Sequence, residues 1–364
     1  MTTLNQNENW NELENRTIGI EIECFVPTNI LRGEGSFQEF VSNKLNQAGV
    51  NASYQHSHIT NAPTTWTVKH DGSLGHGGVE IVSPVLKYNS ESFYILQKVC
   101  GVLDDIRANV NTQCGLHVHV DNHDLTLKQN KLIAKRYAKF EDVFDYFMPK
   151  SRRTNSAGYC RSLRARSEGT PVEIINQTMQ KIDSCRSINA LQRLFGGSHP
   201  RYAKLNFTSP HGTVEFRHHS GTINFEKISK WVRLCHSVVM AGKNKKPVKK
   251  IDITRNGTRT LNHRFKVLMG GLTIDSTAEN FFRKRMKHFI QQDGQPITVQ
   301  NISTNTDVEN LVRLISLGLS ANPNIHRNDR DNIVRLRNMG QNSGEMRYLH
   351  RADEILRDAV RRGR

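Results

Sequence analysis

The sequence predicts an α+β fold in which long helices pack against one face of an antiparallel sheet. Four segments alternate apolar residues with acidic or imidazole side chains, which is the period-two pattern of a strand with one buried face. Long helical segments lie between them, among them 91–110 and 125–147, in which apolar residues recur every three or four positions. If the four strands join one sheet, the helices cover its apolar face and the other face carries the polar side chains.

The first strand-like segment, residues 17–26, carries two acids on one face. Glu21 and Glu23 alternate with Ile20 and Ile22, so the two carboxylates lie about 7 Å apart on the same side. Carboxylates this close repel each other, and burying them unpaired is costly. This face of the strand is therefore either solvated or occupied by a cation.

Three later segments place comparable side chains on one face of a strand. Glu80 lies inside an apolar strand that follows a glycine-rich turn. His117 and His119 alternate with leucine and valine. Glu215 shares a face with Arg217 in the fourth segment. Oxygen ligands with an imidazole suit Mg²⁺ or Mn²⁺ better than a structural zinc, and arginine suits a phosphoryl group, so the pattern indicates phosphoryl transfer.

The bulk properties limit the class of protein. The chain has 364 residues and a net charge of +17, which suggests an anionic substrate or partner. No apolar run is long enough to cross a bilayer, so we expect no membrane partner. The six cysteines include no Cys-x-x-Cys pair and lie mostly in apolar segments, which indicates reduced thiols and a cytoplasmic protein.

The composition becomes basic after Gly242, and this change predicts the organisation of the chain. We expect four regions: a flexible N-terminus (1–15), a main domain (16–242), a basic linker (243–260) and a basic helical C-terminal region (261–364).

Four motifs resemble those of the amidoligase family and occur in the same order. They are Gly19–Glu23, Gly78–Pro84, Cys114–Val120 and Thr213–Arg217. The family belongs to the carboxylate–amine ligases, together with glutamine synthetase and glutamate–cysteine ligase. The resemblance covers residues 16–240, so it makes the main domain the catalytic domain, and it also implies a phage-like gene neighbourhood.

The resemblance implies a curved antiparallel sheet of the glutamine synthetase and glutamate–cysteine ligase type, with helices on its outer face and a basic helical C-terminal extension. ATP and two or more Mg²⁺ or Mn²⁺ ions would bind in the concavity of the sheet. The enzyme would join a carboxylate and an amine into an amide through an acyl-phosphate intermediate. We expect a peptide, amino acid or modified nucleobase as substrate rather than ammonia, because the sequence shows no counterpart of the extended N-terminal domain of large glutamine synthetases.

The same resemblance assigns roles to individual side chains. Glu23 and Glu80 would bind one metal ion. The other ion would be bound by three residues, namely Glu21, His117 and Glu215. His119 and Arg217 would contact the transferring phosphate of the nucleotide. By their position in the sequence, Arg201, Arg152 and Arg153 are candidates for binding the substrate carboxylate or a phosphate of the nucleotide. Asp71 would orient a ligand or the incoming amine.

Two other functions fit parts of the sequence. A metal-dependent hydrolase or nuclease could use the His-x-His strand and the acids to activate water against a phosphodiester. A protein that binds nucleic acid could act through the basic region from Lys243 onward. Release of ADP only in the presence of both an acid and an amine would distinguish the ligase from the nuclease. The sequence predicts no oligomeric state.

Overall fold

The structure is a computed structural model that describes residues 16–31, 35–55, 62–153, 158–164, 170–196, 199–248, 258–294, 315–316, 319, 325–343, 352–356 and 359. The chain divides into two compact units, Met1–Gln292 and Asp293–Arg364. The predicted flexible N-terminus (1–15) and residues 249–257 of the predicted linker lie outside the described residues. Among the helices that the structure describes, none has both the length and the apolar character needed to cross a membrane.

The first unit contains one eight-stranded sheet. Its strands are β1 (Thr17–Phe25), β2 (Ala52–Gln55), β3 (Trp66–Lys69), β4 (Gly78–Val82), β5 (Leu86–Lys87), β6 (Gly115–Asp121), β7 (Leu205–Asn206) and β8 (Thr213–Ser220). They lie in the order β2-β3-β4-β1-β6-β8-β7, and the short β5 also pairs with β1. The four strands predicted to carry polar side chains are therefore neighbours at the centre of the sheet.

The predicted all-antiparallel sheet is wrong at one edge, where β2 runs parallel to β3. The other strand pairs are antiparallel. A parallel neighbour requires the chain to return along the whole strand, about 13 Å for four residues, and the connecting segment 56–65 is long enough for this. The sheet is thus open and mixed, and the curvature typical of glutamine synthetase stays a prediction.

Helices follow the strands in the first unit, and their bounds refine the predicted ones. They are α1 (Phe37–Gln47), α2 (Ser90–Asp105), α3 (Leu127–Lys139), α4 (Glu141–Asp145), α5 (Pro171–Ser184), α6 (Ile188–Gly196), α7 (Phe225–Lys243), α8 (Thr258–Met269) and α9 (Ser276–Gly294). Thr126 and Thr170 begin α3 and α5 with capping boxes. The predicted continuous helix 125–147 is interrupted at Phe140, which separates α3 from α4.

The core of the first unit lies on the apolar face of the sheet. Ile20 and Ile22 of β1 are buried there in one hydrophobic cluster with Trp231 of α7. The cluster also contains Phe265 of α8 and Phe282 of α9. These two helices therefore belong to the same unit as the sheet, although they follow the change to a basic composition.

The second unit has a small core of its own. Its helix α10 spans Arg327–Ser343, and Ile333 of this helix lies in a hydrophobic cluster with Ile315, Ala352 and Leu356. Burial of these apolar side chains gives the unit a source of stability independent of the sheet.

Candidate active site

The strand register brings the predicted polar side chains into one row on the face of the sheet opposite the core. Glu23 of β1 pairs with Glu80 of β4, and Glu21 pairs with His117 of β6. On the other side of β6, His119 pairs with Glu215 of β8. Cross-strand partners share a face. These side chains form what we call the carboxylate–imidazole row: Glu80, Glu23, Glu21, His117, His119 and Glu215.

The row is held by close contacts between carboxylates and imidazoles. His117 Nδ1 lies 3.0 Å from Glu21 Oε2, and its Nε2 lies 3.7 Å from Glu23 Oε1. His119 Nε2 lies 3.3 Å from Glu21 Oε1. Except for Glu21, which is half-buried, the members of the row are only 5–7% exposed. The row is therefore shielded from bulk water, so its charges interact strongly.

Three groups of side chains in and beside the row could each hold a metal ion, since their ligand atoms lie within 4.8 Å of one another. The groups are Glu21 with Glu80 and His117, Glu21 with His119 and Glu215, and Glu23 with Asp71 and Glu80. The structure thus brings together all five residues predicted to bind metal. It also adds His119 and Asp71, which the sequence resemblance had associated with phosphate and with substrate.

Two glycines allow the side chains of the row to pack closely, because a Cβ atom at either position would crowd them. A Cβ atom on Gly115 would lie 2.9 Å from His117 Nε2 and 3.4 Å from Glu23 Oε2. A Cβ atom on Gly19 would lie 3.3 Å from His119 Cβ. The main-chain N–H of Gly115 also donates to Glu23 Oε2 at 2.5 Å. The glycines of the Gly-x-Glu-x-Glu and Gly-x-His-x-His motifs therefore make room for the ligand atoms beside them.

His119 is oriented with one ring nitrogen facing the row. Its Nδ1 lies 2.8 Å from Thr213 Oγ1. Its Nε2 is buried and faces Glu21 Oε1 at a distance of 3.3 Å. A histidine that is held through one ring nitrogen and directs the other towards carboxylates is oriented as a metal ligand would be.

The row carries more negative charge than it can balance. Burial raises the pKa of Glu80 well above its usual value, and the charge of Glu21 adds to this effect despite the opposing ion pair with Lys69. Burial also opposes ionisation of Glu21, but the imidazoles of His119 and His117 outweigh it and hold its pKa well below the usual value. For His119, burial is outweighed by Glu21, which raises the pKa of the imidazole. Without cations, Glu80 and His119 thus tend to retain their protons, whereas Glu21 loses its proton readily.

Arg217 lies on the same face as Glu215, at the start of a bulge in β8. The register with β6 shifts between Leu116 and Val118, so Arg217 and His218 together occupy the length of one residue of β6. The guanidinium of Arg217 donates to Glu215. Burial disfavours its charge, but Glu215 outweighs burial and raises the pKa of Arg217. The residue therefore stays charged beside the row, as the predicted role of Arg217 requires.

The other predicted arginines have different surroundings. Arg152 is buried and donates to the carbonyls of Gln113 and Cys114, just before β6. Arg153 donates through Nε to Met148 O at 2.8 Å. Arg201 is exposed and stacks on Tyr202 just before β7. None of the contacts described for these three arginines reaches a member of the row.

Several residues that contact the row were not predicted from the sequence. Lys69 Nζ lies 2.8 Å from Glu80 Oε2, and Asn206 donates to Glu215 Oε2 at 2.8 Å. The half-buried ring of His211 lies against that of His119, with centroids 6.0 Å apart. Lys69 and Asn206 are the cross-strand partners of Glu80 and Glu215, so the strand pairing places them beside the row.

The Ser83-Pro84 end of the second motif has a structural role. The main-chain N–H of Ile20 donates to Ser83 Oγ, and the N–H of Ser83 donates to Ile20 O, both at 2.9 Å. Pro84 lacks a main-chain N–H and so cannot extend this pairing. The motif thus fixes the register between β4 and β1 that aligns Glu80 with Glu23.

A comparison with family models gives a match over most of the first unit. The model described as "putative amidoligase enzyme" matches residues 14–239, a range that contains all eight strands and the whole carboxylate–imidazole row. A search of curated proteins gives no match. The match covers more than half of the chain and confirms the resemblance seen in the four motifs: the protein belongs to the amidoligase family of ligase-type enzymes.

Proposed function

We propose that this protein is an ATP-dependent carboxylate–amine ligase that forms an amide bond through an acyl phosphate. The observation that supports this most is the carboxylate–imidazole row with Arg217 beside it, a face rich in ligands for divalent cations and in charge for a phosphoryl group. In this reaction a carboxylate oxygen of the acid attacks the γ-phosphorus of ATP and ADP leaves. The amine then attacks the acyl carbon, and phosphate leaves with the electrons of the C–O bond.

The donor set fits Mg²⁺ or Mn²⁺. Carboxylate oxygens dominate each of the three groups, with at most one imidazole in each, which suits hard divalent cations. The orientation of His119, which directs its buried Nε2 towards Glu21, supports the same fit. The residues that would hold the ions are Glu21, Glu23, Asp71, Glu80, His117, His119 and Glu215. Bound there, the ions would supply positive charge against the triphosphate.

Within this proposal, the remaining residues neutralise and orient charge. A metaphosphate-like transition state requires charge neutralisation more than a covalent nucleophile. Arg217 would contact the oxygens of the transferring phosphoryl group, and its ion pair with Glu215 keeps the guanidinium in place. Lys69 would fix the carboxylate of Glu80 through their 2.8 Å ion pair. Arg201, exposed before β7, is the residue we assign to the carboxylate of the acid substrate.

A hydroxylamine assay tests the proposal without knowledge of the amine. The full chain is incubated with Mg²⁺, ATP, hydroxylamine and single acids from a panel of amino acids, peptides and carboxylated nucleobases. We expect a hydroxamate and an equal amount of ADP with at least one acid, and neither product from the Glu215→Gln variant. ATP turnover that does not depend on the acid, or hydroxamate formation without ATP, would contradict the proposal.

The nuclease hypothesis is tested in the same preparation. Cleavage of single- or double-stranded nucleic acid with Mg²⁺ or Mn²⁺ and without nucleotide, abolished by Glu215→Gln, would favour metal-dependent hydrolysis over ligation.

A role of the C-terminal region in nucleic-acid binding requires a different truncation from the one that composition indicates. Phe265 and Phe282 lie in the core of the first unit, so ending the chain at Gly242 would expose that core. Ending it after Gln292, the last residue of the first unit, removes the second unit together with only the last two residues of α9. Salt-dependent retention on DNA or RNA that is lost with this truncation would assign binding to the second unit.

A further inference from the structure

A second group of charged side chains is buried on the opposite face of β8, towards the helices. Lys204 is fully buried, and its Nζ lies 2.6 Å from Glu141 Oε1 and 2.5 Å from Asp145 Oδ1. His218 is also fully buried, with Nε2 2.9 Å from Asp145 Oδ1 and Nδ1 2.8 Å from the hydroxyl of Tyr137. We call these five residues the Lys204 network.

The Lys204 network reaches Arg217 by two routes. Along β8, His218 is the neighbour of Arg217 in the bulge. Across the strand pair, the main-chain N–H of Arg217 donates to the carbonyl of Lys204 at 2.9 Å. The side chains of His218 and Lys204 both end at Oδ1 of Asp145. Asp145 of α4 therefore contacts both His218, which follows Arg217 in the chain, and Lys204, whose main chain is hydrogen-bonded to that of Arg217.

Stability alone is a poor reason for such a network. Removing charges from water costs several kcal/mol per ion, and well-packed apolar residues of similar volume often stabilise a core equally well or better. The network also lies beside a bulge, where the regular ladder no longer fixes the direction of a side chain. Ion pairs and hydrogen bonds have fixed directions, so they can set the bulge geometry in a way that apolar contacts cannot.

We propose that the Lys204 network positions Arg217 so that its guanidinium group faces the carboxylate–imidazole row. The proposal rests on the proposed function, in which Arg217 contacts the transferring phosphoryl group. Asp145 is its central residue, because it joins Lys204 to His218. Asp145, Lys204 and His218 act through Arg217 and contact no reacting atom.

The test compares two identical substitutions on one short helix. Asp145→Asn removes the central charge with little change of volume. Asp142→Asn is the matched control, because Asp142 also lies on α4 and pairs with Arg164 and Arg264, which are outside β8. We expect both variants to be less stable than the wild type. We expect Asp145→Asn alone to lower kcat, about ten- to a hundredfold, with a much smaller change in KM for ATP, since a misplaced Arg217 loses contacts made in the transition state.

Two further measurements separate positioning from general damage. In an Arg217→Lys background, Asp145→Asn should cause no further loss of kcat, because the side chain it positions has already been changed. Hydrogen exchange should accelerate at the amides of Arg217 and His218 in Asp145→Asn, but not at the amides of β6 and not in Asp142→Asn. Should Asp145→Asn fail to fold, His218→Leu takes its place, since leucine can contact neither Asp145 nor Tyr137 through a hydrogen bond.

Equal losses of kcat in the two single variants, or additive losses with Arg217→Lys, would overturn the proposal. Unchanged exchange at the Arg217 amide would overturn it too. Hydrogen exchange requires no turnover, so it decides the positioning claim even if the wild-type chain proves unable to use ATP. In that case the proposed ligase function fails independently of this result.

Discussion

Two buried charged clusters lie on opposite faces of β8, and they differ in how their acids are accommodated. On one face, five carboxylates (Glu21, Glu23, Asp71, Glu80 and Glu215) stand against two permanent cations (Lys69 and Arg217). On the other face, the two carboxylates of the Lys204 network share one lysine. The remaining oxygen of Glu141 accepts the N–H of Leu163 at 2.9 Å.

We infer from this difference that the carboxylate–imidazole row binds a ligand, whereas the Lys204 network stabilises the arrangement of β8. Burial lowers the pKa of His218 and Lys204 adds to this, so the histidine is neutral and can donate to Asp145 while accepting from Tyr137. Burial raises the pKa of Asp145, but the close contact with His218 and the charge of Lys204 outweigh burial and hold this pKa below its usual value. In the carboxylate–imidazole row, by contrast, burial and the charge of Glu21 raise the pKa of Glu80 despite Lys69. Such a row takes up protons or is completed by a ligand of opposite charge.

The largest expected effect comes from removing one acid of the row. Glu21→Gln or Glu215→Gln should lower ATP turnover at least about a hundredfold, because each removes a carboxylate from a metal-binding group. The melting temperature without metal should fall although the variants stay folded, because both carboxylates have lowered pKa values in the folded state and so contribute to its stability at neutral pH. Turnover and thermal unfolding of the same preparations check this. Normal turnover in either variant would contradict the assignment of the row as the active site.

A matched pair of lysine substitutions tests the difference in balance directly. Lys204→Met should lower the free energy of unfolding by about 3–5 kcal/mol, because it leaves Glu141 and Asp145 buried without their cation. Lys69→Met should cost clearly less, because Glu80 already has a raised pKa and can take up a proton instead. Denaturant unfolding at neutral pH measures both values. Equal losses would show that the two clusters are balanced alike.

The pH dependence of stability should reveal the excess of acid, with Glu80→Gln as the reference. A carboxyl group with a raised pKa in the folded state binds its proton more tightly when folded. The stability it contributes is therefore complete below its usual pKa of about 4.3 and is lost as the pH rises through the raised value. The free energy of unfolding of Glu80→Gln should therefore rise relative to that of the metal-free wild type as the pH increases above about 4.3.

Divalent cations should make the wild type more stable than Glu80→Gln, the reverse of the order expected without metal. At a hundred times its dissociation constant, Mn²⁺ or Mg²⁺ should stabilise the wild type by about 2.7 kcal/mol and Glu80→Gln by much less. Unfolding curves from pH 4 to 8, with and without the cation, provide the measurement. A wild type that gains stability over Glu80→Gln on going to higher pH without metal would show that the row has no excess charge.

A smaller effect is expected from the space beside His117. Gly115→Ala places a methyl group 2.9 Å from His117 Nε2, and the ring can move aside at little cost in stability. The moved ring is a displaced ligand, so affinity for Mn²⁺ should fall about tenfold or more. Gly101→Ala in α2 is the control, because its Cβ would meet nothing within 4 Å. Calorimetric titration with Mn²⁺ distinguishes them, and equal affinities would remove His117 from the set of ligands.

The period-two pattern was sufficient to predict the face of the sheet on which the row lies. Glu21, Glu23, His117 and His119 share this face because alternation fixes it once the apolar residues are buried. The bulge at Arg217 left that face unchanged for Glu215 and Arg217, so the prediction held there too.

Other features depend on contacts that no local pattern carries. Lys204 precedes the short edge strand β7, and lysine is a residue type that is mostly exposed. In the structure, its ammonium group pairs with two acids of α4 and its side chain is completely buried. Asp71 lies in a turn, where its position depends on the path between β3 and β4. The parallel pairing of β2 likewise depends on a connection whose course the sequence does not specify.

The central place of β1 has a consequence during synthesis of the chain. Of the strands that the structure describes, β1 comes earliest in the chain, and it lies between β4 and β6, both of which are made after it. Until then its edges are open to strands of other nascent chains. Like charges placed opposite each other destabilise such pairing, so Glu21 and Glu23 should hinder β1 from aggregating with copies of itself before its own partners arrive.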